Sequence, residues 1–95
     1  MSPVIILTGA SRGLGLSILQ LLLNANARVV TLSRSKPDGL VKLQEEYKDQ
    51  LEVVQGDVAL IEDNAKVVKA AVDRWGGVDG VVINAGTIEP SAYGS

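Results

Sequence analysis

Apolar and polar positions alternate along this chain in blocks whose period switches repeatedly between strand and helix. Val4-Ile5-Ile6-Leu7 is a short unbroken apolar run, rich in β-branched residues, as a strand buried on both faces requires. Beyond a glycine-studded turn, Leu14, Ile18, Leu21, Leu22 and Ala25 recur at helical spacing and predict a first helix. Asn24-Ala25-Asn26-Ala27 marks its stop, and Arg28-Val29-Val30-Thr31-Leu32-Ser33 predicts a second strand. Arg34 to Gly39 is a loop punctuated by Pro37 and Gly39, after which Leu40, Leu43 and Tyr47 predict a short amphipathic helix. Leu51-Glu52-Val53-Val54-Gln55 is a third strand, closed by Gly56-Asp57. From Leu60 to Trp75, the positions Ile61, Ala65, Val68, Ala71, Val72 and Trp75 run along one side of a third helix, which Gly76-Gly77 ends. Gly80-Val81-Val82-Ile83-Asn84 is a fourth strand, and Ala85 to Ser95 shows no periodicity.

The order βαβαβαβ implies an α/β fold of parallel strands joined by right-handed crossovers. The expected sheet is of the Rossmann type, with strand order 3-2-1-4 and a ligand crevice between strands 1 and 4. The first two helices should cover one face and the third the other. That is the N-terminal half of a doubly wound fold, so residues 1–95 are expected to be one incomplete domain. Strand 4 should present an unpaired apolar edge, which predicts marginal stability in isolation, a longer parent, or pairing with another copy.

The turn after strand 1 carries the first chemistry. A strand that ends in glycines and feeds a helix offers unpaired N–H groups and the positive end of the helix dipole to a phosphate. Gly9 permits the sharp turn, Gly13 the close approach of a pyrophosphate, and Gly15 the close approach of helix to sheet. The spacing is G-x-x-x-G-x-G, unlike the general G-x-G-x-x-G fingerprint. The string Thr8-Gly9-Ala10-Ser11-Arg12-Gly13-Leu14-Gly15 resembles the cofactor loop of the short-chain dehydrogenase/reductase family. Asp57 and Asn84-Ala85-Gly86 resemble two further marks of that family, in the same order and at its usual spacing. The resemblance extends over essentially the whole chain and implies that residues 1–95 are an incomplete dinucleotide-binding domain.

Composition narrows the classes. Ninety-five residues allow one small domain, and 46% hydrophobic residues argue against disorder. Mean hydropathy is +0.22. With one Trp, two Tyr and no Phe, the core must come from aliphatic residues, as suits a helix-covered parallel sheet. A net charge of −2 without a basic cluster disfavours a nucleic-acid partner. The absence of Cys and His removes disulfides, thiolate metal sites and the commonest zinc ligand and general base. Met1-Ser2-Pro3 lacks the basic start of a signal peptide, and the apolar segment from Leu14 to Leu23 falls below the ~20 residues of a membrane span. A cytoplasmic protein without a membrane partner is the expectation.

The end of strand 2 bears on cofactor choice. A site for NAD(H) usually places Asp or Glu there to hold the ribose 2′-OH, whereas this chain has Ser33-Arg34. A 2′-phosphate would meet a cation there, and Arg12 is placed to add a second. In the family, basic residues at these positions go with NADP(H), which is the expected cofactor ahead of NAD(H); two ordinary solvated arginines are the plain alternative. Asp57 lies at the carboxyl end of the sheet, where ligands bind. The resemblance implies that it holds the adenine amino group, with Val58 packed on the ring; a cap on the third helix is the other reading. Asn84, Ala85 and Gly86 end strand 4 beside strand 1, leaving room for the cofactor ribose, and Asn84 serves equally as a structural tie between strand ends. The family more often has two asparagines before Ala-Gly, and Ile83 replaces the first. Asp79 resembles a family position that supports this strand, or is a turn residue.

No acid/base constellation is present. The family's Ser, Tyr-x-x-x-Lys and Asn lie beyond strand 4, with the Tyr pKa lowered by the Lys and the cofactor. Here Tyr47 is followed four residues later by Leu51, and only Gly94 and Ser95 follow Tyr93. The resemblance implies the NADP(H)-binding portion of an oxidoreductase whose complete form transfers hydride between NADPH and a small carbonyl substrate. Gly86-Thr87-Ile88-Glu89-Pro90 is similar to the corresponding loop of the sepiapterin-reductase and benzil-reductase-like branch. A non-catalytic nucleotide-binding or partner-pairing module is the alternative from another class. A bare structural domain leaves the glycine loop unexplained.

Overall fold

A computed structural model of the chain describes residues 2–9, 13–34, 37–57 and 60–83. Along these residues run β1 (Val4–Thr8), α1 (Gly13–Asn24), β2 (Arg28–Ser33), α2 (Asp38–Glu46), β3 (Leu51–Gln55), α3 (Ile61–Trp75) and β4 (Gly80–Val82). The four strands form one parallel sheet in the order β3-β2-β1-β4. This is the expected Rossmann-type order.

Register decides which side chains meet which helix. Ile6 pairs with Val30 and with Val81, and Leu7 pairs with Thr31 and with Val82. Paired residues in parallel strands point to the same face, so alternate residues sort into two layers. Leu7, Val29, Leu51 and Val53 pack with Leu19 and Leu23 of α1 and Leu40 and Leu43 of α2. Val4, Ile6, Val30 and Leu32 pack with Val67 and Ala71 of α3. Two helices thus cover one face and one covers the other, as the chain order implies.

The helix faces differ from the sequence pattern. In α1 the buried line is Gly15, Leu19 and Leu23, while Leu14 and Leu21 are 72% and 69% exposed. The helix is apolar nearly all round, so periodicity alone did not select a face; the line that packs on the sheet is the one carrying Leu19 and Leu23. In α3 the buried line is Asp63, Val67 and Ala71. Ile61, Ala65, Val68 and Val72 face outward instead. Of the expected stripe, Ala71 and Trp75 remain on the inner side.

Boundaries follow local chemistry. α1 stops at Asn24, and Asn26 takes a left-handed φ of 67°. α3 stops at Gly76, whose φ of 84° lets its N–H donate to the Val72 carbonyl at 2.9 Å. The N-cap of α3 is Leu60, without a side-chain cap bond, so Asp57 is not the residue that starts this helix. β4 ends at Val82, two residues short of the expected strand end, and Asn84 lies outside the described residues. Among the described residues β4 is an edge strand, with Val81 57% exposed.

Candidate functional site

All candidate residues that the structure describes gather at the carboxyl ends of the strands. Gly9 follows β1, Ser33 ends β2 with Arg34 after it, and Gln55-Gly56-Asp57 closes β3. The chain leaving β1 runs to the face covered by α1, whereas the helix that leads into the adjacent β4 lies on the opposite face. Neighbouring strands whose connections go to opposite faces leave a crevice between them.

The described residues on either side of the β1–α1 turn have features that a phosphate site needs. Gly9 has a φ of 71°, a left-handed turn that a side chain would strain. α1 begins at Gly13 and carries no acidic residue in its first turn, so no carboxylate of that turn competes for its first N–H groups. Gly15 is buried, and Leu14 is exposed. A nicotinamide dinucleotide bound here would have its diphosphate at Gly9, Gly13 and Leu14. Ser11 and Arg12, the remaining candidates of this loop, lie outside the described residues, as do Val58, Asn84, Ala85 and Gly86.

The ends of β2 and β3 are stitched together. The Gly56 N–H donates to the Ser33 carbonyl at 2.9 Å, and Gln55 Nε2 donates to the Arg34 carbonyl at 3.3 Å. Ser33 is buried while Arg34 is exposed, so its guanidinium is open to a ligand anion. Asp57 is half-buried, and its carbonyl accepts from the Leu60 N–H at 3.0 Å. These bonds bring Ser33, Arg34 and Asp57 to one patch, one strand away from the glycine turn.

Asp63 is the residue that motif reading did not find. Its Oδ2 accepts the Asp57 N–H at 2.8 Å, and its Oδ1 lies 3.0 Å from Lys66 Nζ. The backbone N–H, followed by the Lys66 ammonium, holds this carboxyl below the ordinary aspartate range. A visible signal was its place as the third residue of α3, from which a carboxylate reaches back to N–H groups ahead of the helix.

The opposite end of the sheet is structural. Val4 and Asp79 are hydrogen-bonded there, and Arg28 Nη2 donates to the Ser2 carbonyl at 2.6 Å. The Arg74 guanidinium lies 4.7 Å from the Trp75 ring centre and donates to Glu52 Oε1 at 2.7 Å. A shallow depression lined by Ser2, Pro3, Ala25, Asn26 and Gln50 lies at this end, away from every candidate residue. Among the described residues no acidic cluster is placed to hold a metal, and no helix is long and apolar enough to cross a membrane.

Comparison with known proteins agrees with this geometry. The family model described as short chain dehydrogenase matches residues 3–94. An uncharacterised oxidoreductase of Saccharomyces cerevisiae is 37% identical over 91 residues, covering 95% of this chain and 36% of the relative. The 1,2-dihydroxy-1,2-dihydronaphthalene dehydrogenase of Pseudomonas putida is 37% identical over 83 residues, covering 87% of this chain and 32% of the relative. Among solved structures, L-sorbose reductase of Gluconobacter frateurii, complexed with NADPH and L-sorbose, superposes with a TM-score of 0.78 at 33% identity. That match covers 93% of this chain and 35% of the reductase. The chain therefore spans about a third of the length of these relatives. Its family match runs through the glycine turn, the stitched β2 and β3 ends and the β1–β4 pair, and the chain belongs to the short-chain dehydrogenase/reductase family.

Proposed function

We propose that this chain is the NADP(H)-binding portion of an oxidoreductase whose complete form transfers hydride between NADPH and a small carbonyl substrate. The observation that carries the cofactor choice is the end of β2, where buried Ser33 is followed by exposed Arg34 and no carboxylate. An acidic side chain at this point would repel a 2′-phosphate, while a guanidinium pairs with it. The NADPH complex of the related L-sorbose reductase supports the reading. Bound NADPH would supply the hydride.

The roles of this chain's residues in the proposal are binding and orientation. Gly9, Ser11, Gly13, Leu14 and Gly15 hold the diphosphate against the start of α1, and Arg12 and Arg34 flank the 2′-phosphate. Asp57 accepts the adenine amino group, with Val58 against the ring. Asn84, Ala85 and Gly86 border the nicotinamide ribose. The Ser and Tyr-x-x-x-Lys of the family are absent from these 95 residues, so proton transfer belongs to the rest of the complete form. The loop from Gly86 to Pro90 supports placement near the sepiapterin-reductase and benzil-reductase-like branch. A cytoplasmic location is part of the proposal, supported by a structural neighbour from Saccharomyces cerevisiae described as a cytoplasmic protein.

The test is Arg34→Asp. The variant should reverse the order of affinity, binding NADH more tightly than NADPH in a fluorescence titration. Unchanged relative affinities would overturn the assignment of NADP(H).

A further inference from the structure

The turn that bears Asp57 is fixed from two sides. Its Gly56 N–H is bound to β2 through the Ser33 carbonyl at 2.9 Å. Its Asp57 N–H is bound to α3 through Asp63 Oδ2 at 2.8 Å. The second anchor is closely fitted. A Cβ built on Gly56 would lie 2.8 Å from Asp63 Oδ2 and 2.9 Å from its Cγ, inside any tolerated contact. Asp63 is 9% exposed although it is charged, and on its far side Lys66 Nζ lies 3.0 Å from Oδ1. A carboxylate at that depth is costly unless its oxygens are engaged, and here one oxygen engages a backbone N–H and the other an ammonium. A carboxylate is favoured in the first turn of α3 by the helix dipole, yet Asp63 begins a buried line that continues as Val67 and Ala71, so its charge is placed facing inward.

We propose that Asp63 is a positioning residue for the adenine end of the dinucleotide: by holding the Asp57 N–H, it fixes the backbone from which the Asp57 carboxylate reaches the adenine amino group. It thereby sets the preference for a 6-amino over a 6-oxo purine. This rests on the proposed dinucleotide site and on the adenine role of Asp57. Asp63 touches neither ligand nor reacting atoms; it acts through Asp57. Lys66, whose Nζ lies 3.0 Å from the other carboxylate oxygen, helps to orient Asp63.

The test compares binding of NADPH with binding of its hypoxanthine analogue, in which a carbonyl replaces the adenine amino group. The wild-type chain should prefer NADPH about fivefold, the worth of one hydrogen bond. Asp63→Ala should bring the ratio close to one, as Asp57→Ala does, and the double variant should add nothing. Asp63→Asn, which keeps an oxygen acceptor for the N–H, should restore part of the preference. A purely structural role would weaken both ligands equally and leave the ratio intact. Gly56→Ala displaces the carboxylate from the opposite side and serves if Asp63→Ala does not fold; it too should erase the ratio.

Hydrogen exchange of the Asp57 amide is read in the ligand-free chain. It should be protected in the wild type and exchange at least tenfold faster in Asp63→Ala. Equal exchange rates, or an undiminished NADPH preference in the folded variants, overturn the positioning role while leaving the site itself standing. A wild-type chain that binds NADPH without preference overturns the adenine role of Asp57 and this proposal with it. Failure to bind either ligand overturns the proposed function instead, even where the amide remains protected.

Discussion

Val4 and Asp79 are joined by two hydrogen bonds: the Val4 N–H donates to Asp79 Oδ2 at 2.8 Å, and the Asp79 N–H donates to the Val4 carbonyl at 2.8 Å. The pair closes the start of the β1–β4 ladder, whose other end borders the crevice. Val4 is buried and the bond is partly buried, so loss of the carboxylate leaves the Val4 N–H without its partner at the edge of the core. Asp79→Ala should lower stability by about 1–3 kcal/mol in urea unfolding. Asp79→Asn, which keeps an acceptor, should lower it less. Equal stability of wild type and Asp79→Ala would show that the carboxylate does not hold this ladder.

Asp63 gives the chain a pH dependence of known sign. Its carboxyl sits below the ordinary aspartate value of 3.8, held down by the Asp57 N–H and then by Lys66. A group whose pKa is depressed by folding contributes its stabilisation fully above the unfolded value and loses it as pH falls through the folded one. Stability should therefore fall more steeply below about pH 4 in the wild type than in Asp63→Asn. Parallel stability-against-pH curves for the two proteins would contradict the assignment.

Much of the fold was legible along the chain, for reasons particular residues show. Val4-Ile5-Ile6-Leu7 and Val29-Val30 read as strands because a sheet covered on both sides needs apolar residues on both faces. The helix faces were less legible. α1 offers Leu at Leu14, Leu19, Leu21 and Leu23 alike, and only the packing on the sheet selects Leu19 and Leu23. α3 hides its buried line behind a charge, since Asp63 begins it, while the apolar Ile61 and Val68 face outward. The site divides in the same way. Gly9 and Ser33-Arg34 could be placed from spacing, because their position at strand ends follows from the βα order. The role of Asp63 was only half legible: its place in the first turn of α3 shows that a carboxylate can reach back, but its partner is a backbone N–H, which every residue but proline carries.

Thr31 is fully buried in β2, and among the described residues its Oγ1 has no hydrogen-bond partner. Its register neighbours are Leu7 and Val53, both on the face covered by α1 and α2, so the hydroxyl sits among aliphatic side chains. A buried hydroxyl without a partner carries a desolvation penalty that a methyl group does not. Thr31→Val should raise stability by about 1 kcal/mol and increase the midpoint of thermal unfolding. A lower midpoint would mean that the hydroxyl is engaged in solution.

The central claim is that a dinucleotide lies across the carboxyl ends of β1, β2 and β3, and it is tested most directly by titrating the 15N-labelled chain with NADPH. The account predicts amide shifts at Gly9, at Gly13 to Leu16, at Arg34 and at Gly56-Asp57, with NADH producing weaker changes at Arg34. Shifts confined to the other end of the sheet, around Ser2, Asn26 and Gln50, or none at saturating NADPH, would contradict it.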